Sequence, residues 1–279
     1  MGKLVEKLHQ VGQGSGGGFG FAGRAAASPR KPRPAAVLIT LNSADTAGAE
    51  AAAKAGVDGV LIAGWTPGAD IGQLKSALVA SGTLWGVEYA GGPARDGVLP
   101  AAVAEGAAFV VIGPSAPAAV LFDEVEQLDL VVTIETPKDD LSLLLVRSEN
   151  LLPAQAALVS LTRDASSLGK LTVTEFARQR WVFETLRFPA LVMLKEAPQA
   201  DAVRTLVRLG IDGLIIAGTG AKPETLAKQV QVLGEMLEAL PAQKSQRGSV
   251  AIGGFMTGSG ESAPGPGRPG RPAPEPDEE

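Results

Sequence analysis

Two hydrophobic rhythms alternate along the chain between residues 35 and 243. Short runs of aliphatic and β-branched residues, such as GVLIA at 59–63 and GLIIA at 213–217, read as strands buried on both faces. Longer stretches rich in Ala, Leu, Lys and Glu carry apolar residues at helical spacing. In order, the pattern predicts strands at 36–41, 59–63, 84–89, 108–112, 130–135, 157–161, 190–194 and 213–217. The intervening segments read as helices at 43–55, 71–79, 172–186, 201–209 and 223–240, with three weaker ones after Arg95, at 116–126 and at 139–146. Ser43 stands as an N-cap, Gly56 and Gly210 as stops, and Pro223 at a first-turn position.

Strands that are apolar throughout need helices on both faces of a sheet, or a sheet closed on itself inside a ring of helices. Eight strand–helix units with no strand left over favour the closed form, an α/β (β/α)8 barrel over 35–243. A dinucleotide-binding open sheet would place its glycine fingerprint directly after the first strand. Here that strand runs into LNSAD, and GSGGGFG at 14–20 follows no strand. AGVDGVLIAG at 55–64 returns as LGIDGLIIAG at 209–218, with EGAAFVVIGP at 105–114 as a looser copy. This helix-ending G-x-D-G turn before a strand resembles the TIM-barrel superfamily at the level of architecture. The resemblance implies that Asp58 and Asp212 lie at the structural end of the barrel as turn residues, and that ligands bind at the opposite, C-terminal end of the strands.

The two ends of the chain have a different composition. Residues 1–34 include a Gly-, Ala-, Ser- and Pro-rich stretch, and 244–279 end in TGSGESAPGPGRPGRPAPEPDEE. Such segments bury too little apolar surface to offset their ordering entropy, so both are expected to be flexible, disordered tails. The opening MGKLVEKLHQ is a short amphipathic stretch rather than a signal peptide, and no apolar run reaches the ~20 residues that span a bilayer. A cytoplasmic protein without a membrane partner is expected.

Charge and composition narrow the chemistry. A formal net charge of −5 and 4% aromatic residues argue against a nucleic-acid partner. With no cysteine and one histidine, His9, thiolate catalysis, cysteine-ligated metals and a Ser-His-Asp triad on the barrel are excluded.

The strand ends supply the candidates. Odd-numbered strands finish with Thr40 and Asn42, Glu88, Thr133 and Glu135, and Lys195 followed by Glu196, while Gly64, Gly113 and Gly218 end even-numbered ones. Layers inside a barrel come from alternate strands, so Glu88, Glu135 and Lys195 are expected on one layer at the mouth. Lys195 would serve as base, Schiff-base amine or anion anchor, with the two carboxylates tuning it. Those carboxylates are also a seat for Mg²⁺ beside substrate oxygens; no protein metal-ligand set or other cofactor is assigned. The bland reading of the trio is a structural ion-pair cluster at the rim.

A second constellation, Gly218, Thr219 and Gly220 in AGTGAKPET, would offer backbone N–H groups and a hydroxyl to a phosphate. Arg163, beside Asp164, would clamp a carboxylate or pair with a neighbour. TIETP at 133–137 resembles strand ends in the aldolase and lyase barrels of the pyruvate/phosphoenolpyruvate group, whose carboxylates bind a metal. The expectation is an enzyme of lyase, aldolase or isomerase type acting on a small anionic metabolite that carries phosphate or carboxylate. The alternatives are a non-catalytic barrel serving ligand binding or interaction, and a flavin-binding oxidoreductase. A homo-oligomer is left open.

Overall fold

Buried strands with no polar edge must find partners on both sides, and here they do so by closing a ring. A computed structural model describes residues 2–13, 31–89, 91, 97–122, 125, 127–136, 146–161 and 163–241, all within the unit Met1–Arg247. The strands are β1 (Ala36–Asn42), β2 (Gly59–Ala63), β3 (Leu84–Tyr89), β4 (Phe109–Ile112), β5 (Asp129–Glu135), β6 (Ala156–Ser160), β7 (Ala190–Leu194) and β8 (Gly213–Ala217). Each is parallel to the next, and β8 pairs with β1. This is the expected (β/α)8 barrel.

Side chains alternate in and out along every strand. Leu38, Leu61, Phe109, Val131, Leu158 and Ile215 fill the lumen. Val37, Val60, Val110, Val132, Val192 and Ile216 face the surrounding helices. Each such side chain removed from water contributes roughly 1.5–3 kcal/mol. The lumen is filled tightly enough to need glycine at one point. A Cβ on Gly86 would lie 2.4 Å from the Phe109 carbonyl oxygen and 2.5 Å from its ring. Gly86→Ala is therefore expected to lose about 1–3 kcal/mol, read from the urea midpoint; an unchanged midpoint would mean that the Phe109 carbonyl and ring can both move aside without cost.

The helices accompanying the strands include α1 (Lys3–Gln13), α2 (Thr46–Ala55), α3 (Gly72–Ser81), α4 (Val98–Glu105), α5 (Val173–Thr185), α6 (Ala200–Leu209) and α7 (Pro223–Glu238), and residues 146–149 are helical as well. Two of the expected helices differ in the structure. α2 starts later than Ser43 because Asn42–Asp45 closes a turn, and the Asp45 carboxylate caps the Gly48 N–H at 2.9 Å. The helix expected at 116–126 is a single 3-10 turn, Ala118–Phe122. The one expected at 139–146 lies outside the described residues except for Val146. α5 opens with a capping box, Thr172 and Glu175 satisfying each other's backbone N–H. No described helix is long and apolar enough to cross a membrane.

The N-terminal end of the barrel is closed by the chain's first residues. The segment 1–34 reads as flexible from composition, yet Lys3–Gln13 forms α1, whose Leu4 and Leu8 are buried in the lumen cluster. The Asp129 carboxylate accepts the Leu4 and Val5 N–H groups at 2.7 and 3.3 Å, capping the helix. The amphipathic pattern visible in MGKLVEKLHQ is used here, because apolar residues of one helix face can finish a lumen that strand side chains leave open. Residues 14–30 and the Gly/Pro-rich tail at 244–279 lie outside the described residues.

Both G-x-D-G aspartates sit at this same end and act as turn residues. Asp58 accepts the Val37 N–H at 2.8 Å, and Asp212 the Ala190 N–H at 2.8 Å. Each ties the start of its strand to the strand before it. Asp58 also receives both hydrogen bonds of the buried Arg33 guanidinium, at 2.9 and 2.7 Å, with Lys7 of α1 at 3.8 Å.

Candidate active site at the C-terminal mouth of the barrel

The strand register sets the height of every residue at the opposite end. Thr40 pairs with Leu61, Leu61 with Gly86, Gly86 with Phe109, and Phe109 with Asp129. Continued through β6, β7 and β8, that row returns to β1 about eight residues below its start, the stagger of a TIM-type barrel. A level ring therefore rises by about one residue per strand relative to the paired row. The inward residues level with Thr40 are Glu88, Thr133 and Met193.

Directly above stand Ala63, Ser160 and Ala217 of the even strands. Asn42, Glu135 and Lys195 lie one layer higher still, two residues further along their strands and about 5 Å further out. Lys195 and Glu196 follow the end of β7 directly, in a bend, and both are exposed at the rim. The register thus separates the expected trio. Glu88 is on the floor, and Glu135 and Lys195 are at the rim.

Glu88 on β3 faces Met193 on β7 across the lumen, since those strands are four apart in the ring. Its side chain is half-buried, and burial pushes its carboxyl pKa above the ordinary carboxylate value. No ion pair joins Glu88, Glu135 or Lys195 to any described residue. A structural ion-pair cluster at the rim is therefore not what the described residues form. Nor do three or more described His, Asp or Glu side chains gather as a metal site. With Glu88 and Glu135 on different layers, the described residues do not fit a Mg²⁺ centre.

Thr40 is 4% exposed, and its role is partly structural. The Gly218 N–H donates to the Thr40 carbonyl at 3.0 Å and reaches its hydroxyl oxygen at 3.3 Å. A Cβ at Gly218 would lie 2.7 Å from that carbonyl, so glycine is needed for β8 to leave against β1. This corrects one expectation: the Gly218 N–H is spent on Thr40 rather than offered to an anion. Thr219 and Gly220 are exposed in the turn that follows, with Gly220 at φ 77°.

Arg163 pairs with Glu175 of the α5 capping box. The Thr172 backbone N–H and Arg163 together hold the Glu175 carboxyl down at about 2. The arginine is thus engaged at a helix N-terminus, the neighbour-pairing outcome. Trp65, which follows β2, is 2% exposed and packed in the outer core. Met193 was not legible as a site residue because an apolar side chain carries no chemical signal; period-two counting from Leu191 would have located it.

A search of solved structures returns barrels. The chain aligns with thiamine phosphate pyrophosphorylase from Pyrococcus furiosus at 15% identity and TM-score 0.55, covering 74% of this chain and 97% of that one. The fold is that of the TIM barrels. A tryptophan synthase α-subunit mutant from Pyrococcus furiosus aligns at 12% identity and TM-score 0.54, over 75% and 99% of the two chains. A protein from Aquifex aeolicus VF5 reaches TM-score 0.59 at 13% identity, over 84% and 98%. No protein-family model matches the chain, and no curated protein matches it by sequence.

Proposed function

We propose that the chain is a cytoplasmic barrel enzyme acting on a small anionic metabolite at the C-terminal mouth, with lyase, aldolase or isomerase chemistry. The observation that carries this reading is Glu88: a half-buried carboxyl on the lumen floor with no ion-pair partner among the described residues. Folding gains nothing from such a group, because burying a carboxylate without a partner costs free energy. Burial raises its proton affinity above that of an ordinary carboxylate, which suits a group that gives and takes a proton. Lys195 at the rim supplies the positive charge that draws an anion to the mouth, and Thr219 and Gly220 add a hydroxyl and a backbone N–H nearby. Two barrel neighbours are named as enzymes, one a thiamine phosphate pyrophosphorylase, which agrees with this reading at the level of fold.

Thermal unfolding with a panel of phosphorylated and 2-oxo acids tests it. At a ligand concentration one hundred times Kd, stability is expected to rise by about 2.7 kcal/mol. Lys195→Met is expected to weaken binding at least about tenfold, the loss of roughly one charge-assisted contact. If Lys195→Met binds as wild type does, the anchoring role is wrong.

A further inference from the structure

The register places two uncharged residues, Thr133 and Met193, level with Glu88 and Thr40, and this ring says how a ligand must stand. We propose that the mouth holds its ligand upright along the barrel axis. An anionic group sits at the level of Asn42 and Lys195, and a hydroxyl or carbonyl oxygen on the floor between Thr133 and Glu88. The ligand class is a small carboxylic or phosphoric acid bearing an uncharged oxygen separated from its carboxyl carbon or phosphorus by about three chain atoms. The proposal rests on the reading of the mouth as the ligand site and adds an orientation and a spacing to it.

Height gives the spacing. Asn42, Glu135 and Lys195 lie two strand residues beyond the floor ring, which on tilted strands is about 5 Å along the axis. A carboxylate and a hydroxyl at the two ends of a four-carbon chain span that distance, whereas a 2-hydroxy acid does not. The intermediate layer leaves room for the chain, since Ala63 and Ala217 are small and Ser160 is exposed.

The chemistry of the floor gives the polarity of the lower end. Thr133 is half-buried, and its hydroxyl has no partner among the described residues. The Thr40 hydroxyl oxygen faces the Gly218 N–H, leaving its hydrogen to donate. Glu88 bears the proton-active group. A second anionic group lowered onto this ring would meet the Glu88 carboxyl with no cation at its own level, so the lower end is uncharged. Opposite Glu88, Met193 offers a thioether against which methylene groups can pack. The anion itself goes to the rim, where Lys195 is exposed.

Calorimetric titration of the full-length protein with 2-, 3- and 4-hydroxybutanoate and with butanoate reads the spacing directly. A parallel arm with 2-hydroxyethyl and 3-hydroxypropyl phosphate distinguishes a carboxylate from a phosphate head. The 4-hydroxy acid is expected to bind at least about tenfold tighter than the 3-hydroxy acid, and 2-hydroxyethyl phosphate, whose ester oxygen counts as a chain atom and gives the same span, at least about tenfold tighter than 3-hydroxypropyl phosphate. Thr133→Val is expected to abolish that preference and bring the 4-hydroxy acid to the affinity of butanoate, leaving butanoate unchanged. Thr133→Ser, which keeps the hydroxyl, is expected to retain the preference. Binding that is equal across the series, or tighter for the 2-hydroxy acid, overturns the upright orientation while leaving the mouth as the site. Binding of neither series, or binding that survives Lys195→Met together with Glu88→Gln, overturns the reading of the mouth and the orientation with it.

Discussion

Replacing Asp58 with alanine is expected to cost about 3–5 kcal/mol of folding stability, a large share of the total for any domain. Arg33 is 5% exposed, and its guanidinium donates to both Asp58 oxygens. Removing the carboxylate leaves that charge buried without a counter-ion and the Val37 N–H without its acceptor. Asp58→Asn keeps an acceptor and the shape but not the negative charge, so an intermediate loss is expected. Arg33 also ties the chain to α1, donating its backbone N–H to the Val11 carbonyl at 3.1 Å. Asp58→Ala should accordingly increase hydrogen exchange in α1 before it affects the rim of the mouth. Urea denaturation followed by far-UV circular dichroism measures the stability change; a loss below 1 kcal/mol would show that the buried pair is not a keystone of the closed end.

Replacing Glu88 with glutamine is expected to do the opposite to stability and far more to function. Glutamine has nearly the shape of glutamate and no charge to desolvate. In the folded chain the Glu88 carboxyl holds its proton more tightly than in the unfolded chain, because burial raises its pKa. Ionising it therefore costs stability. Wild-type stability from this group is highest below the ordinary carboxylate pKa and declines as pH rises from there through the raised value. The variant lacks that decline, so its advantage should grow across the same window and then level off. Asp129 and Glu149 are also raised by burial, but both are present in wild type and variant and cancel in the difference. Turnover of the cognate substrate should fall about 10²–10⁴-fold, the usual contribution of a positioned acid or base. A substitution that stabilises the fold and removes activity is what distinguishes a residue kept for its chemistry from one kept for packing.

Much of the barrel was legible in sequence for identifiable reasons. β2 and β8 begin at Gly59 and Gly213 because the preceding aspartates bond back to the neighbouring strand, and the G-x-D-G repeat announces both turns. β6 is shifted by one residue because Ala156 looks no more strand-like than Leu161, and only pairing with Val131 decides its start. The helix at 116–126 was over-read: an Ala/Leu/Glu-rich stretch has helical propensity, but Pro117 and the short span to β5 leave space for one 3-10 turn. That α1 enters the lumen was not legible, since an amphipathic helix shows that it will bury a face and not against what.

The site divides in the same way. Glu88, Glu135 and Lys195 were found as charged residues at strand ends, which is a local property. Their heights were not, because stagger arises only when the sheet closes, and one layer of error separates an ion-pair cluster from a floor and a rim. The Gly218 N–H looked free for an anion because its partner, Thr40, is far away in sequence and adjacent only through β1–β8 pairing.

One comparison bears most directly on Glu88 as the reacting group of the mouth. It is thermal unfolding of wild type and Glu88→Gln across the carboxylate range and up to neutral pH, with and without the tightest-binding acid from the panel. The structure predicts that the unliganded variant is at least as stable as wild type at neutral pH, that its advantage narrows as pH falls, and that the ligand-induced rise seen in wild type is lost. A variant that is less stable at neutral pH and gains as much from the ligand as wild type would contradict it, and would make Glu88 a structural residue.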